Sequence, residues 1–343
     1  MAETTPVTVL TGFLGAGKTT LLNHMLHQPA LARTAVLVNE LGEIGLDHLL
    51  VEKLDDNTVL LNAGCLCCTV RGDLLRALRE MLPRARREEI SRVVIETTGL
   101  ADPTPILATL MSDAVAASVY RLDGIITVVD AVNGMATLDA HPEALRQAAI
   151  ADRLVLTKTD LAGDVEALSA RLQRLNPGAV MARAAHGAID PASVLNAGLF
   201  DAADKSADVR AWLDAARFEN AHAHHRQHDV NRHDARISAF CLTFDQPLAW
   251  QAAGSYLEML IATRGESLLR VKGILNLHGQ ERPVVIQGVQ HLFDPPVLLP
   301  AWPEGDDRTS RLVFITRDLP RAVIEEGLRA FVAAAEHAHA APA

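Results

Sequence analysis

Apolar residues in the first half of the chain fall in short, near-continuous runs: Val7 to Leu10, Ala35 to Val38, Thr58 to Leu61, Arg92 to Ile95, Gly124 to Val129 and Arg153 to Leu156. Between them lie longer segments of helical period, Lys18 to His27, Asp73 to Met81, Pro103 to Met111, Pro142 to Ala149 and Val165 to Leu175. Val/Ile/Leu runs without alternation are what strands buried on both faces require. The pattern therefore predicts an α/β domain, a mostly parallel sheet with helices on each side. Several of the helices open on Asp, Thr or Pro, which satisfy or omit the orphan N–H groups of a first turn.

Around residues 200 to 235 both periods lapse; Ala, Asp and His dominate, and Ala221 to His233 reads as a linker or loop. Beyond it come a strand at Arg236 to Phe244, a helix at Pro247 to Thr263, strands at Leu268 to Leu277, Pro283 to Phe293 and Arg311 to Thr316, and a helix from Leu319 to about Ala335. This order suggests a smaller α+β domain with helices on one face of an antiparallel sheet. The expected organisation is an α/β domain over residues 1–215, a His-rich linker over 216–235, an α+β domain over 236–335 and a frayed tail over 336–343.

Composition narrows the class. At 49% hydrophobic and 22% charged residues the chain can bury a sizeable core. The 32 basic against 42 acidic residues leave a formal charge of −10, so nothing global favours nucleic acid or an acidic membrane face, and any anion must be held locally. No apolar run approaches the roughly 18 residues needed to span a bilayer. Three of the four cysteines, Cys65, Cys67 and Cys68, are too close in sequence to build a disulfide framework, which points to a reducing compartment. The expectation is a soluble cytoplasmic protein with neither nucleic-acid nor membrane partners; a homo-oligomer is compatible with the sequence.

The strongest chemical signal is Gly12-Phe-Leu-Gly15-Ala16-Gly17-Lys18-Thr19, followed by Thr20. It matches GxxxxGK[ST] and stands between a predicted strand and a predicted helix, as a phosphate-binding loop requires. The glycines let successive backbone N–H groups converge on phosphate oxygens at a helix N-terminus. Lys18 reaches the β- and γ-phosphates in such a loop, and the Thr19 hydroxyl ligates Mg²⁺. The segment ending Glu96-Thr-Thr-Gly99 supplies an acid suited to holding Mg²⁺ through a water, and a glycine able to present its N–H to a γ-phosphate. After the run at Arg153 to Leu156 comes Thr157-Lys158-Thr159-Asp160, close to the NKxD element that reads guanine. An aspartate accepting from both the ring N–H and the exocyclic amine discriminates against adenine, and Lys158 would lie along the base. The plainer reading of this segment is a helix start capped by Asp160.

Asn62-Ala-Gly64-Cys65-Leu-Cys67-Cys68-Thr69 follows the run Thr58 to Leu61, so it is expected at the same strand ends as the phosphate loop. Three thiolates in one loop suit Zn²⁺, Cu(I) or another thiophilic ion, with redox sensing as the competing function and a simple buried cysteine cluster as the bland one. Zinc wants a fourth ligand, for which Glu43 in Asn39-Glu40-Leu-Gly-Glu43 is the first candidate. Five histidines between His222 and His233 read either as a metal store or as a solvated loop.

GFLGAGKT, NELGE, GCLCC, ETTGLADP, TKTD and the late KGILNL together resemble the CobW-type metallochaperone GTPases of the SIMIBI class of P-loop proteins, over nearly the whole chain. The resemblance implies a P-loop domain followed by a CobW-type C-terminal domain, and GTP hydrolysis coupled to delivery of a metal, mostly Zn²⁺ and in some branches Co²⁺ or Fe, to a client metalloprotein. It implies Cys65, Cys67 and Cys68 as metal ligands and places Glu40 and Glu43 in the switch after the second strand. On this reading Lys18, Thr19, Glu40 and Glu96 form the catalytic set, with Glu40 or Glu43 positioning the attacking water. Rival functions are a nucleotide-switched metal sensor or buffer without delivery, a cobalt or iron insertion factor, and an ATP-dependent kinase.

Overall fold

The computed structural model describes residues 4–39, 59–63, 70–197 and 236–340. Their contacts divide into two compact units, Met1–Ala170 with Ala179–Gly198, and Arg171–Gly178 with Leu199–Ala343.

The first unit is built on a seven-stranded sheet in which every pairing is parallel. Its strands are β1 (Thr5–Gly12), β2 (Thr34–Asn39), β3 (Val59–Ala63), β4 (Arg92–Glu96), β5 (Tyr120–Asp130), β6 (Arg153–Thr157) and β7 (Val180–Arg183), in the order β3-β2-β4-β1-β5-β6-β7. Its helices are α1 (Lys18–Leu26), α2 (Val70–Arg86), α3 (Thr104–Ser112), α4 (Ala114–Ala117), α5 (Gly134–Ala140), α6 (Pro142–Ile150) and the first half of α7 (Glu166–Leu175), whose residues from Arg171 on are grouped with the second unit. Leu21, Leu22 and Met25 of α1 pack on Leu10, Val36, Val94, Ile126, Val128 and Val155 of the strands. Helix α6 lies against β1 and β5. The chain leaves β1 towards β2 on one side and later crosses from β4 to β5 on the other, so the strand order reverses beside β1. Ligands of open α/β sheets bind at the strand carboxyl ends beside such a reversal.

The six apolar runs each become a strand, as expected for a doubly covered parallel sheet. Strand β5 starts four residues earlier than its apolar run because Arg121 and Asp123 interrupt the pattern. Asp123 is tolerated in the interior because Arg92 pairs with it and the Thr8 hydroxyl and Asn196 N–H donate to it. Short β7, α4 and α5 carry too few apolar residues to register as period, and α2 continues to Arg86 through Pro83.

The second unit holds an antiparallel sheet of β8 (Ile237–Phe244), β9 (Leu268–Leu277), β10 (Gln280–Val289), β11 (Leu292–Phe293) and β13 (Ser310–Arg317), ordered β11-β10-β9-β13-β8, with β12 (Val297–Leu298) on β10. Helices α8 (Trp250–Arg264) and α9 (Arg321–Ala340) pack together. Phe240, Leu242, Leu312 and Phe314 share a core with Tyr256, Leu257, Leu260, Ile324 and Leu328 of those helices. The strand expected at Pro283 to Phe293 breaks at Gln290, whose φ of 53° turns the chain into a hairpin. The last helix runs five residues past Ala335, so residues 336–340, expected to fray, are helical. Cys241 is buried in β8, as a core cysteine should be. Among the described residues no helix is long and apolar enough to cross a membrane.

Candidate functional site

The loop Phe13–Gly17 joins the carboxyl end of β1 to α1. It follows Gly12, where a Cβ would collide with the Val128 carbonyl oxygen, and ends at Gly17, whose φ of 88° makes it a left-handed N-cap. No side chain caps α1 and its own first turn holds no acid, so no residue of the helix itself caps the N–H groups that face the loop. The Lys18 ammonium donates to the Gly12 and Phe13 carbonyls at 3.0 and 3.3 Å. The Thr19 hydroxyl donates to Glu96 Oε1 at 2.7 Å, joining the first turn of α1 to the end of β4.

Beyond Glu96 the chain stays close to the loop. The Thr97 N–H donates to the Leu10 carbonyl and its hydroxyl to Thr11 Oγ1. A Cβ on Gly99 would lie 2.5 Å from the Leu14 nitrogen, so only glycine fits this approach without moving the loop. Gln147 of α6, 1% exposed, holds the same segment from behind: its amide Nε2 donates to the Gly99 carbonyl at 3.2 Å and the Ala101 carbonyl at 3.0 Å.

On the other flank β6 ends at Thr157, whose hydroxyl donates to the Ala16 carbonyl at 2.6 Å, with the Val129 carbonyl at 3.3 Å. Thr157 stands where asparagine is usual in NKxD, and it ties this strand end to the phosphate loop. Lys158, at φ 56°, pairs through its ammonium with Asp130 Oδ2 at 2.7 Å. Asp130 Oδ1 also accepts from the Val132 and Asn133 N–H groups. Burial pushes the Asp130 carboxyl up, but Lys158 and Asn133 outweigh it and hold the group below its ordinary value. Asp160 meets the loop after β7: its Oδ1 accepts the His186 N–H at 3.0 Å and its Oδ2 lies 3.1 Å from His186 Nδ1. The His186 N–H leads the interactions that hold the Asp160 carboxyl below its usual range. Thr20, exposed on α1, faces this loop; a Cβ on Gly187 would lie 3.1 Å from its carbonyl oxygen.

Gly12, Gly15, Ala16, Gly17, Lys18, Thr19, Thr20, Glu96, Gly99, Thr157, Lys158 and Asp160 are thus gathered along one edge of the sheet. A cavity of about 270 Å³ stands behind the loop, bounded by Phe13–Ala16, the end of β5, α5 and α6. Glu40, Glu43, Cys65, Cys67, Cys68 and the His222 to His233 stretch lie outside the described residues. Three polar residues of the edge escaped the sequence reading. Asp130 follows the run Gly124 to Val129 directly, Gln147 interrupts an otherwise apolar helix face, and His186 sits beside Gly187 in a turn; each carries a positional cue but no motif.

A glycine-rich loop between a central strand and a helix, with a buried lysine, a hydroxyl–carboxylate pair and a second aspartate-bearing loop at the same strand ends, defines a P-loop nucleotide-binding protein. Residues 6–183 match the CobW/HypB/UreG nucleotide-binding domain, and residues 237–332 match the cobalamin synthesis protein CobW C-terminal domain. The chain belongs to the CobW family. It is 36% identical over 329 residues to the zinc chaperone YjiA of Escherichia coli, covering 94% of this chain and 96% of that protein. It is 33% identical over 368 residues to the zinc chaperone CobW of Pseudomonas aeruginosa, covering 96% and 92%. The crystal structure of Zn(II)-bound YjiA GTPase from E. coli is similar in fold, with a TM-score of 0.71 at 31% identity, covering 96% of this chain and 99% of that one.

Proposed function

We propose that this chain is a GTP-hydrolysing zinc metallochaperone of the cytoplasm, in which the nucleotide state sets zinc affinity and so governs delivery to a client metalloprotein. The observation that carries the reading is the tie of the phosphate loop and the first turn of α1 to the strand ends on both flanks, by Thr157–Ala16 on one side and Thr19–Glu96 on the other. Similarity over the full length to proteins named zinc chaperones supports zinc as the cargo.

In this reading the loop N–H groups and the α1 N-terminus bind the phosphates, Lys18 leaves its loop carbonyls to neutralise the β,γ-oxygens, and Asp160 reads guanine. Thr19 Oγ1 and Glu96 Oε1 are hard oxygen donors that already converge, which fits Mg²⁺ held by Thr19 directly and by Glu96 through water; the ion supplies charge neutralisation at the phosphates. Glu40 or Glu43 orients the attacking water. Cys65, the first thiol of the triplet, comes two residues after β3 ends at Ala63, and the three thiolates with Glu43 form the zinc site. Losing the γ-phosphate releases the segment around Gly99 and the switch after β2, and so alters the affinity of the thiolates.

The test is calorimetric Zn²⁺ titration of the reduced protein with GDP and with a non-hydrolysable GTP analogue plus Mg²⁺. A coupling of useful size separates the two affinities by about 5- to 150-fold. Cys67→Ser should weaken zinc in both states while leaving basal GTP hydrolysis intact. Equal affinities in the two nucleotides refute the coupling, and unaltered zinc affinity in Cys67→Ser refutes the site.

A further inference from the structure

We infer that Gln147 is a positioning residue for GTP hydrolysis: from α6 it fixes the Gly99–Ala101 segment against the phosphate loop in the arrangement that a γ-phosphate requires. The inference rests on the functional reading above, in which Gly99 presents its N–H to the γ-phosphate.

Gln147 belongs to no nucleotide motif, yet it is 1% exposed on a helix whose neighbouring Ala144, Leu145, Ala148, Ala149 and Ile150 are all buried. A glutamine at such a position requires a polar task. Both carbonyls in front of it can only accept, so the amide must present its nitrogen, and the two hydrogens serve Gly99 and Ala101 one each. Gln147 also lines the cavity beside the phosphate loop, and among the described residues its Oε1 is buried with no hydrogen-bond partner. Its backbone is anchored too, since the Thr127 hydroxyl of β5 donates to the Gln147 carbonyl at 2.6 Å. On its far side the held segment touches the loop through the Gly99–Leu14 approach. Gln147 thus fixes the two carbonyls flanking Leu100 relative to the sheet, and with them the direction of the intervening peptide groups.

The contact is to the segment that serves the γ-phosphate on that reading, which makes the inference separable from a packing role. The experiment compares full-length wild type, Gln147→Met and Gln147→Glu in single-turnover GTP hydrolysis, in titrations with GDP and a non-hydrolysable GTP analogue, and in thermal denaturation. Methionine keeps the length and apolar stem but cannot donate. It should lower kcat about tenfold, the worth of one to two neutral hydrogen bonds, and weaken the GTP analogue relative to GDP, with GDP affinity kept within about twofold. Glutamate at neutral pH cannot donate either. It should lose rate similarly and regain part of it as the pH falls and the carboxyl protonates, a rise the wild type lacks.

An unaltered kcat in Gln147→Met overturns the inference. So does an equal loss of GDP and GTP-analogue affinity with a lowered melting temperature, which would mark Gln147 as packing. A wild type that binds no guanine nucleotide overturns the functional reading and the inference together, whereas a wild type that hydrolyses GTP beside an equally active Gln147→Met overturns the inference alone.

Discussion

Replacing Thr157 with valine removes one hydroxyl and little else. The residue ends β6 at 3% exposure, and valine keeps its shape and its β-branched fit to the strand. What disappears is the 2.6 Å hydrogen bond to the Ala16 carbonyl, the direct tie between the base-side strand and the phosphate loop. Removing one partner of a buried hydrogen bond costs about 1–3 kcal/mol, and a domain of this size loses about 2–4 °C of melting temperature per kcal/mol, so the variant should melt about 2–12 °C lower. Part of the loss should appear in nucleotide binding, because the loop whose N–H groups face the phosphates is held less firmly; about 5- to 150-fold in GDP affinity is the ceiling if all of it does. Thr157→Ser keeps the hydroxyl and should retain most of the affinity. The assay is scanning calorimetry with and without GDP, together with direct GDP titration of the three proteins. A Thr157→Val protein that melts within about 1 °C of wild type and binds GDP equally well would refute the tie as an organising contact.

Two further outcomes follow from the same edge of the sheet. The Asp130 carboxyl is held below its ordinary value of 3.8, so its contribution to stability is present above that value and is lost as pH falls through the lower folded one; Asp130→Asn should be less stable near neutrality, with the gap in melting temperature closing below about pH 4, and a constant gap across the acid range would contradict the assignment. His186 engages both carboxylate oxygens of Asp160, through its N–H and its ring, and its side chain is 81% exposed; His186→Ala should tighten GDP about 1.5- to 5-fold, the worth of an exposed pair, measured by titration, whereas weaker binding would mean that the ring supports the base instead of competing for Asp160.

The sheet was legible because a parallel strand covered on both faces needs a continuous apolar run, and six such runs recur between helical segments through the first half of the chain. The phosphate loop was legible for a similar reason: Gly12 and Gly17 are demanded by a carbonyl approach and a left-handed cap that other residues resist. Elements that owe their place to tertiary contacts were not. Strand β7 is four residues long and its positions are half-buried or exposed, and β5 begins among polar residues that only Arg92, Thr8 and Asn196 make tolerable. Gln147 and His186 belong to the same class, because their partners lie 46–48 and 26 residues away in sequence, where no local pattern reaches. Thr157 shows the converse: a departure from the usual asparagine turns out to supply the donor that the position requires.

These contacts have a common consequence. The phosphate loop is not a free-standing turn but is held by β6 through Thr157 and approached at Leu14 by Gly99, whose carbonyl is held in turn by Gln147 of α6. A nucleotide that pulls on the loop would therefore act at once on the end of β6, through Thr157, and on the segment that follows Glu96 at the end of β4. Parallel pairing of β4 with β2, and of β2 with β3, continues that edge towards the residues on which the zinc proposal rests. Strand β3, which precedes the cysteine triplet in sequence, stands second from β4 in the sheet, so on the proposed reading a shift of the Gly99 segment would need no long relay to act on the thiolates. Coupling between nucleotide and metal would then weaken in variants that loosen the Gly99 segment even when every thiol is intact, a dependence that a store of metal attached to an unrelated GTPase would not show.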